Sequence, residues 1–312
     1  FVTNMFMHPY HGNLYFNVAR TNGLTFWESA PYSLIGSAMW EFLGETEPPA
    51  INDIIATTCG GMALGEMTHR LSRTILDDRD RGWRRFWREA AATIVNPIQG
   101  IHRMISGDAW RIKSTNYRYH NFNEIPVDVA FSFGWRYLAD DGALFRGVHA
   151  PYLNFYLNYG TSVDGDRHTK PYDFFDLDAT LSFGGGQKTV NNISIVGRLW
   201  STPVIDKKDM VAEFGVYQHY NYYDSNPIED GSDLIPYRIS EAAGFGPGFI
   251  LSMPNAGSLL AGMEQRFFVS GILLGGTKSD YFNVIERDYN MGSGFSIKSK
   301  TQLDFGKFGR LM

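Results

Sequence analysis

A glutamate and a histidine at helical spacing are the residues of this sequence that most readily suggest chemistry. Glu66 and His69 are three residues apart, the spacing that di-metal carboxylate proteins use on each of two helices. The Glu-x-x-His motif occurs once here, so a metal site would need ligands from elsewhere; Glu41 and Glu45, which share a helix face, are further candidates. The alternative is an ordinary charged helix end, where the helix dipole favours histidine and arginine. We favour that alternative, and the sequence predicts no cofactor.

A lipid-modifying hydrolase is the second chemistry that the residues allow. Its candidate catalytic side chains are His8, His11, Asn52, Asp53, Glu66 and His69. This hypothesis predicts that the six converge at a cleft open to the membrane. In the alternative, His8 and His11 flank Pro9 and Tyr10 in a predicted loop and donate hydrogen bonds within it; in the metal hypothesis the same two histidines complete the site. Asn52 or Asp53 suits a helix N-cap. The sequence therefore leaves open whether the protein is an enzyme.

An arginine-rich segment interleaved with aromatic rings predicts contact with lipid. Rings at headgroup level and guanidinium groups on phosphates are typical of a membrane interface. The predicted lipid-interface residues are Arg79, Arg81, Trp83, Arg84, Arg85, Trp87 and Arg88. The alternative is ion pairing within the chain, with the nearby acidic residues Asp77, Asp78 and Glu89.

The composition limits the class of protein. The chain has 312 residues, with 28 lysines and arginines against 33 acidic residues, so its formal charge is −5. This balance argues against nucleic acid as a partner. A hydrophobic content of 44% excludes wholesale disorder. The single cysteine, Cys59, excludes an internal disulfide and a cysteine metal cluster.

The N-terminal third has the pattern of a helical domain, residues 1–112. The predicted helices cover residues 31–45, 52–75, 82–95 and 98–105. Ser29 is the predicted N-cap of the first helix, and Asn52 or Asp53 that of the second. Small residues at helical spacing let helices approach closely. The predicted packing positions are Gly36, Gly44, Gly61 and Gly65.

The hydrophobic period changes to that of a strand in residues 113–312. Between Val127 and Tyr137 every odd-numbered residue is apolar or aromatic, and every even-numbered residue is polar or small. Such segments follow one another without helical interruption, which predicts antiparallel hairpins. They cover about residues 127–137, 153–159, 175–183, 193–199, 211–222, 239–251, 259–273 and 291–305. The last residues resemble a strand with its turn, so we expect at least eight strands and an incomplete C-terminus.

The character of these strands favours a transmembrane barrel over a soluble sandwich. Several candidates exceed the usual strand length of about 5–6 residues, and tyrosine and tryptophan gather near their ends. The polar face carries full charges, among them Asp176, Arg198 and Lys300. In a membrane barrel the apolar face meets lipid and the polar face lines the lumen. A soluble sheet with the same polar face in water is the alternative.

The order of motifs in the N-terminal third resembles one protein family. The motifs are a stretch from His8-Pro9-Tyr10-His11-Gly12 to Gly23, Gly36-Ser37-Ala38-Met39-Trp40-Glu41 with Gly44-Glu45, Pro49-Ala50-Ile51-Asn52-Asp53-Ile54-Ile55-Ala56-Thr57 and Gly61-Met62-Ala63-Leu64-Gly65-Glu66. Over about residues 4–110 they resemble the DUF3943 family of uncharacterised envelope proteins, found largely in Bacteroidota. The resemblance implies an outer-membrane setting with a helical region before a barrel. It implies no established activity.

Together these features predict an α+β protein, with a helical domain followed by an antiparallel transmembrane β-barrel in the bacterial outer membrane. The predicted role is a structural or assembly component of the envelope, or a plugged barrel. Membrane lipids and other envelope proteins are the predicted partners. The alternatives are the lipid-modifying hydrolase and a pore or transporter with a charged lumen.

Overall fold

The chain forms two compact units, which we call the helical unit, Phe1–Pro126, and the sheet unit, Val127–Met312. The computed structural model describes residues 1–44, 48–113, 125–138, 147–163, 170–184, 188–225, 235, 237–257, 260–278 and 289–312. Helices precede an antiparallel sheet, which confirms the predicted α+β class. The predicted boundary after residue 112 stays a prediction, because residues 114–124 lie outside the described stretches.

Six α-helices are described in the helical unit, and π-helical segments adjoin four of them. The α-helices are α1 (His8–Thr21), α2 (Phe26–Met39), α3 (Ile51–Ile55), α4 (Gly61–Ile75), α5 (Gly82–Val95) and α6 (Pro97–Ser106). The π-helical segments are Thr3–Met7 before α1, Trp40–Gly44 after α2 and Ala56–Gly60 between α3 and α4. No helix in the described stretches is long and apolar enough to cross a bilayer. Because π-helix is rare and frequently accompanies functional sites, the three segments direct attention to their surroundings.

The starts of α1 and α3 correct two expectations. His8 and His11 lie in α1 and not in a loop, because Pro9 occupies an N-terminal helix position where no amide hydrogen is needed. Asn52 and Asp53 lie inside α3 and not at its N-cap, because the helix already begins at Ile51. Both corrections place candidate side chains on rigid helices.

The start of α2 is a third correction. The helix begins at Phe26, since Thr25, and not Ser29, is the N-cap and forms a capping box with Glu28. The amide of Thr25 donates to Glu28 Oε2 at 2.8 Å. Pro31 consequently lies inside the helix. Glu45, the last residue of the predicted helix and a candidate metal ligand, lies outside the described residues.

The sheet unit is one curled antiparallel sheet in which every strand pairs with the next along the chain. The strands are β1 (Val127–Leu138), β2 (Val148–Tyr159), β3 (Phe175–Ser182), β4 (Val190–Lys207), β5 (Met210–Asp224), β6 (Arg238–Met253), β7 (Gly262–Lys278), β8 (Asn290–Asp304) and β9 (Arg310–Leu311). The eight predicted strands are confirmed, and β9 adds a ninth of two residues.

Side chains on the inner face of the curled sheet meet across it. Arg266 on β7 forms an ion pair with Asp176 on β3. Lys300 Nζ on β8 donates to Tyr156 Oη on β2 at 2.7 Å. Arg310 Nη1 on β9 lies 3.4 Å from Asp128 Oδ2 on β1. These contacts join strands that are not neighbours in the sheet and show how strongly it curls.

Candidate metal centre in the helical unit

Three segments of the helical unit bring one histidine and two carboxylates together. His8 opens α1, Glu41 lies in the π-helical segment after α2, and Asp53 lies in α3. One potential ligand atom from each residue lies within 4.8 Å of the other two. We call these three residues the HED cluster.

The HED cluster is largely buried, and one of its carboxylate oxygens has no hydrogen-bond partner among the described residues. The Nε2 atom of His8 is 3.8 Å from Asp53 Oδ2, and its Nδ1 atom is 3.3 Å from the Thr57 hydroxyl. The amide of Ala50 donates to Glu41 Oε2 at 3.0 Å. The other oxygen of Glu41, Oε1, has no hydrogen-bond partner in the described part of the chain. An imidazole and two carboxylates that face one another in this way are suited to binding a divalent cation.

The segment that carries Glu41 reverses the usual distribution of polar and apolar side chains. Glu41 is 1% exposed, whereas Trp40, Phe42 and Leu43 are 44%, 64% and 80% exposed. A π-helical turn contains one more residue than an α-helical turn, so it changes the face on which the following side chains emerge. Burying a carboxylate in place of three apolar groups costs free energy. The arrangement therefore indicates a role for Glu41 other than packing.

Four of the six candidate catalytic residues lie in or beside the HED cluster. His8 and Asp53 are members of it. The ring of His11 is 6.4 Å from that of His8 and 6.0 Å from that of Trp40, between centroids. The amide nitrogen of Asn52 donates to Asp53 Oδ1 at 2.6 Å.

Glu66 and His69, the other two candidates, belong to a second polar cluster on α4. Glu66 accepts hydrogen bonds from Arg20 Nε at 2.6 Å, from Arg20 Nη2 at 2.9 Å and from Arg70 Nε at 2.9 Å. Burial raises the pKa of Glu66, but the charges of Arg70 and Arg20 outweigh burial and hold that pKa below its ordinary value. The six candidate residues therefore form two groups and not one.

His69 makes the stability of the helical unit depend on pH. Burial above all, and then the charges of Arg20, Arg73 and Arg70, lower the pKa of His69 well below its ordinary value. The folded protein thus keeps the ring neutral, whereas the unfolded chain takes up a proton near about pH 6.5. We expect the contribution of His69 to the free energy of unfolding to be constant above that pH. Below it, stability should fall by up to about 1.4 kcal/mol per pH unit.

Urea unfolding of the full chain, followed by helical circular dichroism at about pH 7.5 and about pH 5.5, measures this dependence. The variant His69→Gln has no ring to protonate and should lose less stability between the two conditions. An equal loss in both proteins would contradict the assignment.

The arginine-rich segment mixes buried and exposed side chains. Arg85 is buried, and its guanidinium donates to the carbonyls of Ala109 at 2.8 Å and Asp78 at 3.0 Å. Three further arginines form ion pairs: Arg79 with Asp77, and both Arg84 and Arg88 with Asp80. Trp83 and Trp87 are 74% and 65% exposed, and Arg81 is exposed as well. The two tryptophan rings are therefore accessible to a partner outside the helical unit.

The four predicted packing glycines differ in what surrounds them. Three of them face aromatic rings: an added methyl carbon would lie 2.4 Å from the Tyr15 ring at Gly36, 3.1 Å from the Trp40 ring at Gly44 and 2.6 Å from the Phe16 ring at Gly65. At Gly61 the methyl carbon would lie 2.5 Å from the backbone of Gly12. The tightest of the backbone approaches involves Gly12, for which a methyl group would lie 1.8 Å from the carbonyl oxygen of Thr57. The sequence motifs contain Gly12, but helical spacing did not place it among the predicted packing positions.

Sequence reasoning also did not join Glu41 to His8 and Asp53. It paired Glu41 with Glu45 through helical spacing, whereas the observed partners come from other segments. A signal was present, because each of the three residues lies in one of the motifs that carry the family resemblance. Thr57, which contacts the imidazole of His8, lies at the end of the same motif as Asp53.

Comparison with known protein families finds a match that lies within the helical unit. No curated protein and no solved structure matches the chain. The matched residues include the whole HED cluster and the four predicted packing glycines. Residues 1–98 match the DUF3943 family, described as a domain of unknown function, and this match confirms the resemblance that the motifs predict.

Proposed function

We propose that this chain is an integral protein of the bacterial outer membrane whose sheet unit spans the bilayer as a β-barrel wall. Its role is structural or in envelope assembly. The observation that carries the proposal is the orientation of the side chains in the sheet unit. Apolar side chains are exposed on one face, and charged side chains are buried on the other.

The exposed apolar face is clearest on β1 and β8. Phe131, Phe133 and Trp135 on β1 are 67%, 72% and 61% exposed, and Phe295 and Ile297 on β8 are 76% and 61% exposed. They alternate with polar or small residues along each strand. A contiguous apolar surface of this kind is unfavourable in water and suits contact with lipid chains.

The opposite face carries buried ion pairs. Arg198 is 1% exposed, and its guanidinium lies 2.8 Å from Asp173 and 3.1 Å from Glu213. Lys298 on β8 is paired with Glu241 on β6. In a soluble sheet the charged face would be exposed to solvent. Here the charged side chains are largely buried on the inner face of the curled sheet, where they form ion pairs with one another. This inversion is typical of membrane barrels.

The paired charges favour a filled lumen over an open pore. A cavity of about 490 Å³ lies on the inner face, and its lining includes Asp176, Asp178, Lys298 and Lys300. The contacts between Lys300 and Asp176 and between Lys298 and Glu241 tie strands together across this space. A water-filled channel needs its lining charges to face solvent. We therefore place the protein among plugged or structural barrels.

Membrane lipids are the proposed partners of the helical unit as well. Trp83 and Trp87 present exposed rings on the same helix as the exposed guanidinium of Arg84. Aromatic rings at headgroup depth with arginine on phosphate would hold α5 in the membrane interface. Other envelope proteins are the further class of partner that the assembly role requires.

Two adjacent residues in the middle of β1 test the orientation of the sheet. Phe131 points to the apolar face and Ser132 to the opposite face. We expect Phe131→Arg to destabilise the protein in a bilayer by about 2–3 kcal/mol, because the charge would face hydrocarbon. Ser132→Arg should fold nearly as well as the parent chain, because its side chain is exposed on the polar side.

The measurement is folding of the full chain into phosphatidylcholine vesicles over a urea series, read as the band that shifts on boiling in an electrophoresis gel. Equal folding of the two variants would contradict the proposal. So would a parent chain that stays monodisperse in buffer without detergent. Recovery of the protein in the outer-membrane fraction of cells tests the location separately.

A further inference from the structure

Two buried glutamates of the helical unit differ in how their charge is balanced. Glu66 is fully buried and lies between two guanidinium groups, from Arg20 and Arg70. Glu41 is 1% exposed, yet no arginine or lysine pairs with it in the described stretches. One of its oxygens accepts a single amide hydrogen bond, and the other has no partner there. A buried carboxylate in this state lacks the positive charge that would stabilise it.

The Glu41 carboxylate lies among metal-ligating atoms of two other segments. His8 and Asp53 place a nitrogen and an oxygen within 4.8 Å of a Glu41 oxygen. We propose that His8, Glu41 and Asp53 bind one divalent transition-metal ion. The ion supplies the missing positive charge and joins the three helical segments that carry its ligands.

The spacing of the ligand atoms is close to that of a metal site. Four ligands around a zinc ion at about 2.0–2.1 Å lie about 3.3 Å from one another. The His8 and Asp53 atoms are 3.8 Å apart, so a small contraction brings them to the required distance. The Glu41 oxygen lies within 4.8 Å of both atoms, so it also has to approach for the three to share one ion.

The donor set selects a class of metal. One imidazole with two carboxylates suits zinc and its first-row neighbours, whereas magnesium and calcium prefer oxygen ligands alone. The Thr57 hydroxyl contacts His8 Nδ1 at 3.3 Å and so orients the ring with Nε2 toward Asp53. Ligating histidines commonly have such an outer partner. Three protein ligands leave a coordination position for water or for an oxygen of another molecule.

Cobalt titration of the full chain in detergent micelles, after removal of metals with a chelator, tests the site. Co²⁺ reports its own coordination through its visible absorption, and Zn²⁺ added afterwards should displace it. We expect one Co²⁺ per chain. In metal sites generally, removing a residue that only hydrogen-bonds a ligand lowers the affinity for the metal by about 10–100-fold. Glu41→Gln, which removes a ligand charge at nearly constant volume, should therefore weaken binding by at least about 100-fold.

The controls separate this site from other carboxylates and from misfolding. Asp77→Asn, at an ion pair near the surface, and His69→Gln, in the second polar cluster, should bind Co²⁺ like the parent chain. Helical circular dichroism shows whether each variant is folded. If Glu41→Gln is unfolded, Asp53→Asn takes its place. A parent chain without a stoichiometric Co²⁺ spectrum, or folded Glu41→Gln and Asp53→Asn variants with undiminished affinity, would overturn the proposal.

Discussion

Replacing Glu66 by glutamine should destabilise the helical unit by about 3–5 kcal/mol, because it leaves two buried guanidinium groups without their counter-charge. Arg20 and Arg70 have side chains that are 14% and 13% exposed, so water can replace the carboxylate only in part. The glutamine keeps an acceptor oxygen but not the charge. Urea unfolding at neutral pH, followed by helical circular dichroism, measures the loss.

Two comparisons make the Glu66 result specific. Asp77→Asn removes an ion pair whose arginine, Arg79, is half exposed, and should cost about 0–1 kcal/mol. Arg70→Met leaves Glu66 paired with Arg20 and should cost less than Glu66→Gln. If Glu66→Gln were as mild as Asp77→Asn, the buried ion pairs would contribute nothing beyond packing.

Replacing Gly12 by alanine should cost at least about 4 kcal/mol, above the 1–3 kcal/mol typical of overpacking. The added methyl carbon would lie 1.8 Å from the carbonyl oxygen of Thr57 and 2.9 Å from the Cα atom of Gly61. Both are backbone atoms of a neighbouring helical run, so neither can rotate out of the way. The helices would have to separate, and the Ser33 hydroxyl that bonds the carbonyls of Gly12 and Thr57 would lose its position.

Gly44→Ala is the matched control for Gly12→Ala. Its methyl group would meet a side-chain ring, that of Trp40, at 3.1 Å. The better helix propensity of alanine, about 1 kcal/mol, offsets that contact. We expect little change in the urea midpoint of Gly44→Ala and a large decrease for Gly12→Ala. Equal midpoints would show that the close approach of α1 to Thr57 and Gly61 does not limit stability.

The sheet and much of the helical unit were predictable because local pattern determines them. Alternation between Val127 and Tyr137 reflects one apolar and one polar face, and the structure has a strand there. The predicted helix over residues 82–95 matches α5, which begins at a glycine and ends before Asn96 and a proline. The start of α1 was not predictable in the same way. Pro9 is equally compatible with a loop and with the first helical turn.

The HED cluster was harder to predict because no local period links its members. His8, Glu41 and Asp53 come from three segments, and they meet through the crossing of helices. Glu66 illustrates the opposite error. Its spacing to His69 is that of metal ligands, but its carboxylate accepts a hydrogen bond from the guanidinium of Arg20, which lies on another helix. Spacing alone does not show what a neighbouring helix contributes.

The strictly sequential pairing of β1 to β9 has a consequence for how the sheet unit forms. Each strand pairs with the one before it in the chain. Adding a strand therefore closes only the loop between two consecutive strands, and the loss of chain entropy is small. The pair Arg266–Asp176, by contrast, joins residues 90 apart in the chain and needs the strands between them in place. Such ion pairs complete a sheet that has already been built strand by strand. They therefore determine how slowly the finished sheet comes apart more than how quickly it assembles.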